Sequence, residues 1–401
     1  MHNKIVTGYH TCIDYELSWD YEIFKNLIIK NQIIDSDIKL INSVSSIKEL
    51  IINCLYYMKI GRGGEVIPSY PSLCDEFANN FDYEITIGGT ATRASIAISK
   101  LEIPNSVYMC NYNKYFKERM PNLVTCNYLE TSGAEKVYPH VILQYPKGLE
   151  VKVNDISFIT NNRNRIMISN DLDSINMKIP PIQAGALDNT EALLMSCFSE
   201  ILELSVLENV LKKVKTNAEK IRPSTWVVLE DGHYVKDAFK AIVHKELKPY
   251  ADMLSMNEEE LQDVYNKKID ILNVEEVSDA IKYVYEKTGF DNLIVHSKYW
   301  ALVYGKNSNI IKPALKYGIA MASTRFKYGD DFGQKEFDEI LNHKLEIEPS
   351  KFCNKLESSL NGKVGCIPSF DLDYLENPTI VGLGDFFAGG LLIGLIKNPK
   401  K

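Results

Sequence analysis

The sequence predicts an α/β fold: a doubly wound, mostly parallel sheet with helices on both faces and a smaller strand-rich lid. Three observations carry that expectation. Short apolar runs alternate with amphipathic helical segments through the second half of the chain. Strand-like runs recur in the first half. No linker rich in Gly, Ser or Pro divides the 401 residues, and no internal repeat or low-complexity tract interrupts them. The chain therefore reads as one unit, with a large α/β part mainly in 160–401 plus parts of 1–10 and 88–110, and a lid from segments within 11–160.

Taken in order, residues 4–8 are short and β-branched, and they open the fold as a buried strand. Residues 15–60 mix helical and extended patterns and yield no assignment. Residues 83–87 alternate as a strand, meet Gly88 and Gly89, and pass into a small-residue helix over 91–99. Further strands are expected at 141–145 and 156–159. Helical spacing covers 193–220, and 226–229 follows as a strand. A helix at 236–247, a strand at 252–255, a helix opening near Asn257, a helix at 277–288 and a strand at 292–295 continue the alternation. At the end of the chain, 378–381 reads as a strand and 386–396 as a strongly apolar helix.

Composition narrows the function classes. Hydrophobic residues make up 45% and charged residues 24%, as in ordinary folded proteins. A net charge of −8 argues against a general nucleic-acid or membrane surface, yet it leaves room for a small anionic ligand held by local amides and one or two basic groups. No run of about 18 apolar residues and no leader pattern occurs. Eight cysteines without regular spacing read as reduced, mostly buried thiols, and a cytoplasmic location is expected. The seven histidines lack zinc-site spacing, which speaks against a structural metal.

The motif that carries chemistry is Gly382-Leu383-Gly384-Asp385, between the expected last strand and last helix. Glycines let such a turn take positive φ, and free amides at a helix start bind anions. An acid there caps the helix or faces bound phosphate. A kinase acting on a hydroxyl needs that pairing: a carboxylate to take the proton and amides to hold the moving charge. The plain alternative is a glycine turn with an Asp N-cap. Gly389 and Gly390 inside the following helix each cost about 0.5–1 kcal/mol relative to Ala, which points to close backbone contact there and favours the functional reading. A dinucleotide fingerprint is excluded, because it needs an acid about 20 residues onward and a further strand. Only 16 residues follow Asp385.

The closing motif resembles the GxGD signature of the ribokinase superfamily, and other stretches resemble its ADP-dependent glucokinase/phosphofructokinase branch. Glu230 and the run from Tyr250 to Leu261 are similar to the segment ending in that branch's NxxE motif. Of the Asn-x-x-Glu copies at Asn127, Asn257, Asn273 and Asn354, only Asn257 to Glu260 has the matching context; a helix N-cap with acids in the first turn remains the local alternative. The run from Asn292 through His296 to Leu302 is similar to the strand before the nucleotide pocket, and Ala320 to Arg325 to the helix after it. Gly8 to Asp14, Lys59 to Glu65 and Gly88-Gly89-Thr90-Ala91 resemble segments that bind the sugar, and Arg163 to Ile166 resembles one whose Arg reaches phosphate.

The resemblance implies a ribokinase-like fold and transfer of the ADP β-phosphoryl to glucose or fructose 6-phosphate, giving AMP. Asp385 would be the base and Gly382, Leu383 and Gly384 the anion hole. Asp14, Glu65, Gly88 and Gly89 would bind the sugar, and Arg165, Asn257 and His296 the nucleotide. Glu230 and Glu260 would place hydrated Mg²⁺. Arg62, Arg93 and Lys147 are candidates for a sugar phosphate. The implied partners are a small sugar and a nucleotide, with no nucleic acid and no membrane. Three positions depart from the family pattern: Val228 stands for a His, Thr90 for an Asn and Cys12 for an Asn. An ATP-dependent kinase of the same fold and a non-catalytic binding relative are the other readings.

Overall fold

The computed structural model describes residues 3–129, 136–372, 375 and 378–400. In chain order its strands are β1 (Ile5–Tyr9), β2 (Cys12–Leu17), β3 (Gly64–Val66), β4 (Tyr83–Gly88), β5 (Asn105–Met109), β6 (Val124–Asn127), β7 (Pro139–Tyr145), β8 (Glu150–Val153), β9 (Ile156–Ile159), β10 (Asn164–Ile168), β11 (Ala192–Ser196), β12 (Trp226–Glu230), β13 (Met253–Asn257), β14 (Asn292–His296), β15 (Trp300–Gly305) and β16 (Val364–Pro368). Nine of them form one sheet in the order β16-β15-β14-β13-β12-β11-β1-β5-β6. From β6 to β14 all neighbours are parallel, and β15 and β16 add an antiparallel edge.

Both faces of this sheet are buried, and the strands show it residue by residue. Leu193 and Met195 of β11 and Val227 and Leu229 of β12 pack with Leu207, Val243, Val277 and Phe352 from the helices Leu204–Ala218, Asp237–Leu247, Val274–Thr288 and Ile347–Ser359. Ala192, Leu194, Trp226 and Val228 face the other way, against Ala94, Ile311, Phe337 and Leu391 from Thr90–Ser99, Ser308–Tyr328, Gln334–Leu341 and Leu383–Lys397. This is the doubly wound α/β fold expected from the alternation of runs.

A second sheet, β3-β10-β7-β2-β4, is mixed. One face packs Ile13, Tyr15, Val141 and Leu143 against Phe24, Leu50, Cys54 and Phe77 from the helices Tyr21–Lys30, Ile47–Ile60 and Ser72–Ala78. Since side chains alternate, Cys12, Asp14 and Glu16 of β2 point to the opposite face. The chain passes between the sheets at residues 10–11, directly from β1 to β2, and at Gly89, directly from β4 into Thr90–Ser99. Those crossings bring the polar face of the small sheet to the edge of the large one.

Some expectations fail for identifiable reasons. Residues 192–196 are a strand rather than the start of a helix; the helix begins at Leu204. A short apolar run fits a buried strand or a buried helix equally well, and its parallel neighbours β1 and β12 make it a strand. Residues 378–381 form no strand. Their backbone bonds instead to the helix Ser308–Tyr328 and its Arg325: the Thr379 amide donates to the Phe326 carbonyl, and Arg325 Nε donates to the Val381 carbonyl at 2.9 Å. All eight cysteines are free, six of them buried. Among the described residues, no helix is long and apolar enough to cross a membrane.

Candidate active site

Parallel strands present their C-terminal ends along one rim, where ligands of open α/β sheets lie. Here that rim carries His10 just beyond β1, Cys197 beyond β11, Glu230 ending β12, Asn257 ending β13 and His296 ending β14, with Glu230 level with Ser196 and Ser255 and Asn257 level with His296. The helix Leu383–Lys397 opens onto the same rim. A Cβ on Gly384 would come 3.4 Å from His296 Cε1, and the Phe387 ring lies 4.6 Å from the His296 ring.

Gly382 is the N-cap of that helix, with φ +72°. Its carbonyl accepts the first helical hydrogen bond from the Phe386 amide, so the amides of Leu383, Gly384 and Asp385 occupy the turn that helix geometry leaves without acceptors. All four residues from Gly382 to Asp385 are partly exposed. Asp385 is therefore the third helical residue and not the N-cap. Its carboxylate is aimed at the neighbouring helix: Thr90 Oγ1 donates to Oδ1 at 2.7 Å, and Arg93 Nε stands 3.9 Å from Oδ2.

Arg93 is the hinge of this arrangement. Its guanidinium is buried and donates to Asp14 Oδ2 at 2.6 Å and to Glu16 Oε1 at 3.1 Å. Burial alone would lower its pKa, but Asp14, Glu16 and Asp385 together raise it above the ordinary value. It also lies under the Gly382 turn, since a Cβ on Gly382 would meet Arg93 Nη1 at 2.5 Å. With three carboxylates around it, Arg93 is not free to bind a sugar phosphate.

The residues expected to meet the sugar lie on and beside the small sheet. Asp14 is buried over Gly88, where an added Cβ would fall 2.2 Å from Asp14 Oδ1, and Cys12 Sγ donates weakly to the same oxygen at 3.4 Å. Gly89, with φ +84°, caps Thr90–Ser99, and its Cα faces the His10 carbonyl too closely for any side chain. Glu65 lies on the edge strand β3. It is accessible to solvent, yet the crowded cleft raises its pKa, desolvation first, with Glu200 raising it further and His233, Arg165 and His140 opposing. Arg165, on the neighbouring β10, thus sits in the electrostatic range of Glu65.

A second charged group collects below β12–β14. His296 Nε2 meets Glu230 Oε1 at 3.1 Å. Burial would lower the His296 pKa, but Glu230, Glu260 and Glu258 outweigh it and raise the pKa. Glu260 is pushed up to about 8, by burial first and then by Asp231 and Glu230. Burial likewise raises Glu258. Asn257 caps the helix Glu258–Tyr265, its Oδ1 accepting from the Glu259 and Glu260 amides while Glu260 Oε2 accepts from the Asn257 amide at 2.8 Å. The capping alternative raised by the sequence is thus what the backbone does here. Yet Glu230 Oε2 and Asp231 Oδ2 are buried with no hydrogen-bond partner in the protein. Asp231 Oδ2 lies 3.4 Å from Lys240 Nζ, whereas Glu230 Oε2 has neither a hydrogen bond nor an ion pair among the described residues; carboxylate oxygens such as those of Glu230 and Glu260 are hard donors of the kind that fit Mg²⁺.

A sequence model described as "ADP-specific Phosphofructokinase/Glucokinase conserved region" matches residues 3–381. The chain belongs to that family. This makes it a carbohydrate kinase of the ADP-dependent class. The fold is similar to that of a phosphofructokinase from Pyrococcus horikoshii OT3 solved with AMP, at 16% identity and a TM-score of 0.74, covering 99% of this chain and 98% of that one. It is similar to an ADP-dependent kinase solved with fructose 6-phosphate and ADPβS, at 16% identity and a TM-score of 0.77, covering 100% and 95%. A reconstructed last common ancestor of ADP-dependent phosphofructokinases from Methanosarcinales aligns at 16% identity with a TM-score of 0.67, over 100% and 95%. No curated protein sequence matches this one at a significant level.

Against this family frame, the structure brings Asp14, Gly88, Gly89, Asp385 and the 382–384 turn to one place, and Glu230, Glu260, Asn257 and His296 to another on the same rim. Val228 lies in the core on the same face of β12 as Glu230. Gly389 and Gly390 do not mark a ligand: a Cβ there would strike the Ala94 carbonyl at 2.8 Å and the Tyr317 carbonyl at 2.3 Å, so these glycines let two helices pack against theirs. Sequence reasoning missed Asp231 and Glu258, although their places next to Glu230 and Asn257 were a usable signal. It also left Arg93 among the candidates for a sugar phosphate, because nothing local marks the three acids that surround it.

Proposed function

We propose that this kinase transfers the β-phosphoryl group of ADP to a sugar hydroxyl of glucose or fructose 6-phosphate, leaving AMP. One observation carries the reading: a partly exposed carboxylate, Asp385, stands beside three acceptor-free amides at a helix mouth, held by Thr90 at the start of the helix Thr90–Ser99. Asp385 accepts the hydroxyl proton as the sugar oxygen attacks. The amides of Leu383, Gly384 and Asp385 hold the charge that develops on the moving phosphoryl. Asp14, Glu65, Gly88 and Gly89 orient the sugar, and the small sheet serves as the lid that keeps water from the nucleotide. Arg165, Asn257 and His296 serve the nucleotide. Glu230 and Glu260, with Asp231 and Glu258 beside them, would hold Mg²⁺, which when bound neutralises phosphate charge.

The test is Asp385→Ala assayed with ADP and ATP as donors and with glucose and fructose 6-phosphate as acceptors. Loss of about 10²–10⁴ in turnover, with nucleotide binding retained, is expected of a general base. Turnover near that of the parent chain would end the assignment, and preference for ATP would end the donor assignment alone.

A further inference from the structure

The segment that leads into the Gly382 turn is held by a buried arginine, Arg325. This residue lies in the last turn of the helix Ser308–Tyr328 and is 3% exposed. It touches both ends of the motif. Its Nε donates to the Val381 carbonyl at 2.9 Å, just before Gly382. Its guanidinium carbon stands 4.3 Å from the centre of the Phe386 ring, just after Asp385. Gly329 closes the helix with φ +62°, and the chain turns back there so that Asp330 accepts from Arg325 Nη1.

Residues 378–381 form no strand, so no ladder of neighbouring strands fixes the peptide from which the turn departs. That peptide, Val381–Gly382, is planar, and the bond to its carbonyl sets the direction in which the chain enters the turn. A neutral donor could make the same bond. A cation here is unfavourable for the protein alone: burial lowers the Arg325 pKa and nearby Arg93 lowers it further, against Asp330 and Glu16. Among the described residues Arg93 pairs with three carboxylates, whereas Arg325 pairs with one, Asp330, whose side chain is 59% exposed. Water weakens such a pair, so Arg325 is the less neutralised of the two guanidiniums beside the turn. A buried cation behind amides that face a phosphoryl group finds its counterpart in that group's charge.

We propose that Arg325 is a positioning residue for phosphoryl transfer. It fixes the Val381–Gly382 peptide so that the amides of Leu383, Gly384 and Asp385 meet the moving phosphoryl, and it keeps a positive charge behind them. This rests on the reading of Gly382 to Asp385 as the phosphoryl-binding turn. Being buried, Arg325 acts through the backbone it holds and not by contact with substrate. A displacement of about 1 Å in such a site can slow the reaction about 100-fold, so loss of this hold is felt in kcat. AMP carries no β-phosphoryl group, and its binding should not sense the change.

The test compares Arg325→Gln, Arg325→Lys and Asp330→Asn with the parent chain, each checked for folding by near-ultraviolet circular dichroism. Turnover is measured with ADP and whichever of glucose and fructose 6-phosphate the parent phosphorylates. Arg325→Gln keeps a donor for the Val381 carbonyl but no charge. Its kcat should fall about 10- to 100-fold, while its Kd for AMP by calorimetry stays within about twofold of the parent's. Arg325→Lys keeps the charge and should regain at least about threefold of that loss. Asp330→Asn changes an exposed partner and should lower kcat at least about threefold, because the guanidinium loses the group that aims it. That variant decides the matter if Arg325→Gln does not fold. A kcat near that of the parent in folded Arg325→Gln or in Asp330→Asn overturns the proposal, and so does AMP binding weakened as much as kcat. Asp385→Ala in the same assay keeps the two readings apart. Turnover lost there but kept in Arg325→Gln ends this inference alone, and the reverse ends the base assignment alone.

Discussion

Thr90 Oγ1 donates a 2.7 Å hydrogen bond to Asp385 Oδ1, and the same hydroxyl lies 3.2 Å from Cys197 Sγ. The residue that departs from the family pattern at this position therefore touches the proposed base directly. Removing a hydrogen bond to a charged group weakens it by about 1.5–3 kcal/mol, or roughly 10- to 150-fold in rate if the bond matters in the transition state. Thr90→Val should lower kcat within that range and leave the KM for ADP unchanged, and Thr90→Ser should restore most of it. Equal activity in Val and Ser variants would show that the contact is structural only.

Arg93 gathers Asp14, Glu16 and Asp385 around one buried guanidinium. Arg93→Met removes the cation and leaves Asp14 unpaired in the interior. Breaking a buried pair in this way destabilises by about 3–5 kcal/mol. Urea unfolding should show the midpoint falling accordingly, and Arg93→Lys should recover little, since one ammonium cannot replace the fork that reaches Asp14 and Glu16. A midpoint within error of the parent would contradict this account.

Gly390 faces the Tyr317 carbonyl and Met321 across a helix contact. Gly390→Ala should overpack that contact and lower stability by about 1–3 kcal/mol. Because the position is remote from the rim, kcat of the folded enzyme at low temperature should stay within a few-fold of the parent. A large kcat loss without a fall in melting temperature would return this glycine to the site.

The pKa of Glu260, raised to about 8 by burial, Asp231 and Glu230, sets a pH dependence. Between the unfolded carboxylate value, about 4.3, and 8, the folded chain holds a proton that the unfolded chain has lost. Stability therefore falls as pH rises across that window and levels off above it. Metal-free protein should show this decline in denaturant titrations, and Glu260→Gln should flatten it. Mg²⁺ should flatten it as well, since it needs the ionised form and offsets its charge. A decline of the same slope in Glu260→Gln would assign it to another group.

Much of this protein is readable along the chain. The order of buried runs and amphipathic helices predicts the doubly wound sheet, because burial on two faces imposes its own patterns over a few residues. The Gly382 to Asp385 turn is readable for the same reason, as glycine and a helix start are local backbone facts. The segment 192–196 was not, because apolar character alone fits strand and helix equally until β1 and β12 flank it.

Spacing in the chain places a carboxylate at a helix mouth, but not what stands against it. Thr90, Arg93, Asp14 and Asp385 meet because two strand-to-strand and strand-to-helix crossings return the small sheet to the rim of the large one. The same long-range packing turned Gly389 and Gly390 into helix contacts and Arg93 from a sugar-phosphate candidate into a buried strut. Backbone preference acts over a handful of residues, whereas charge pairing and close packing act between any groups the fold brings together, and no local pattern records which groups those are.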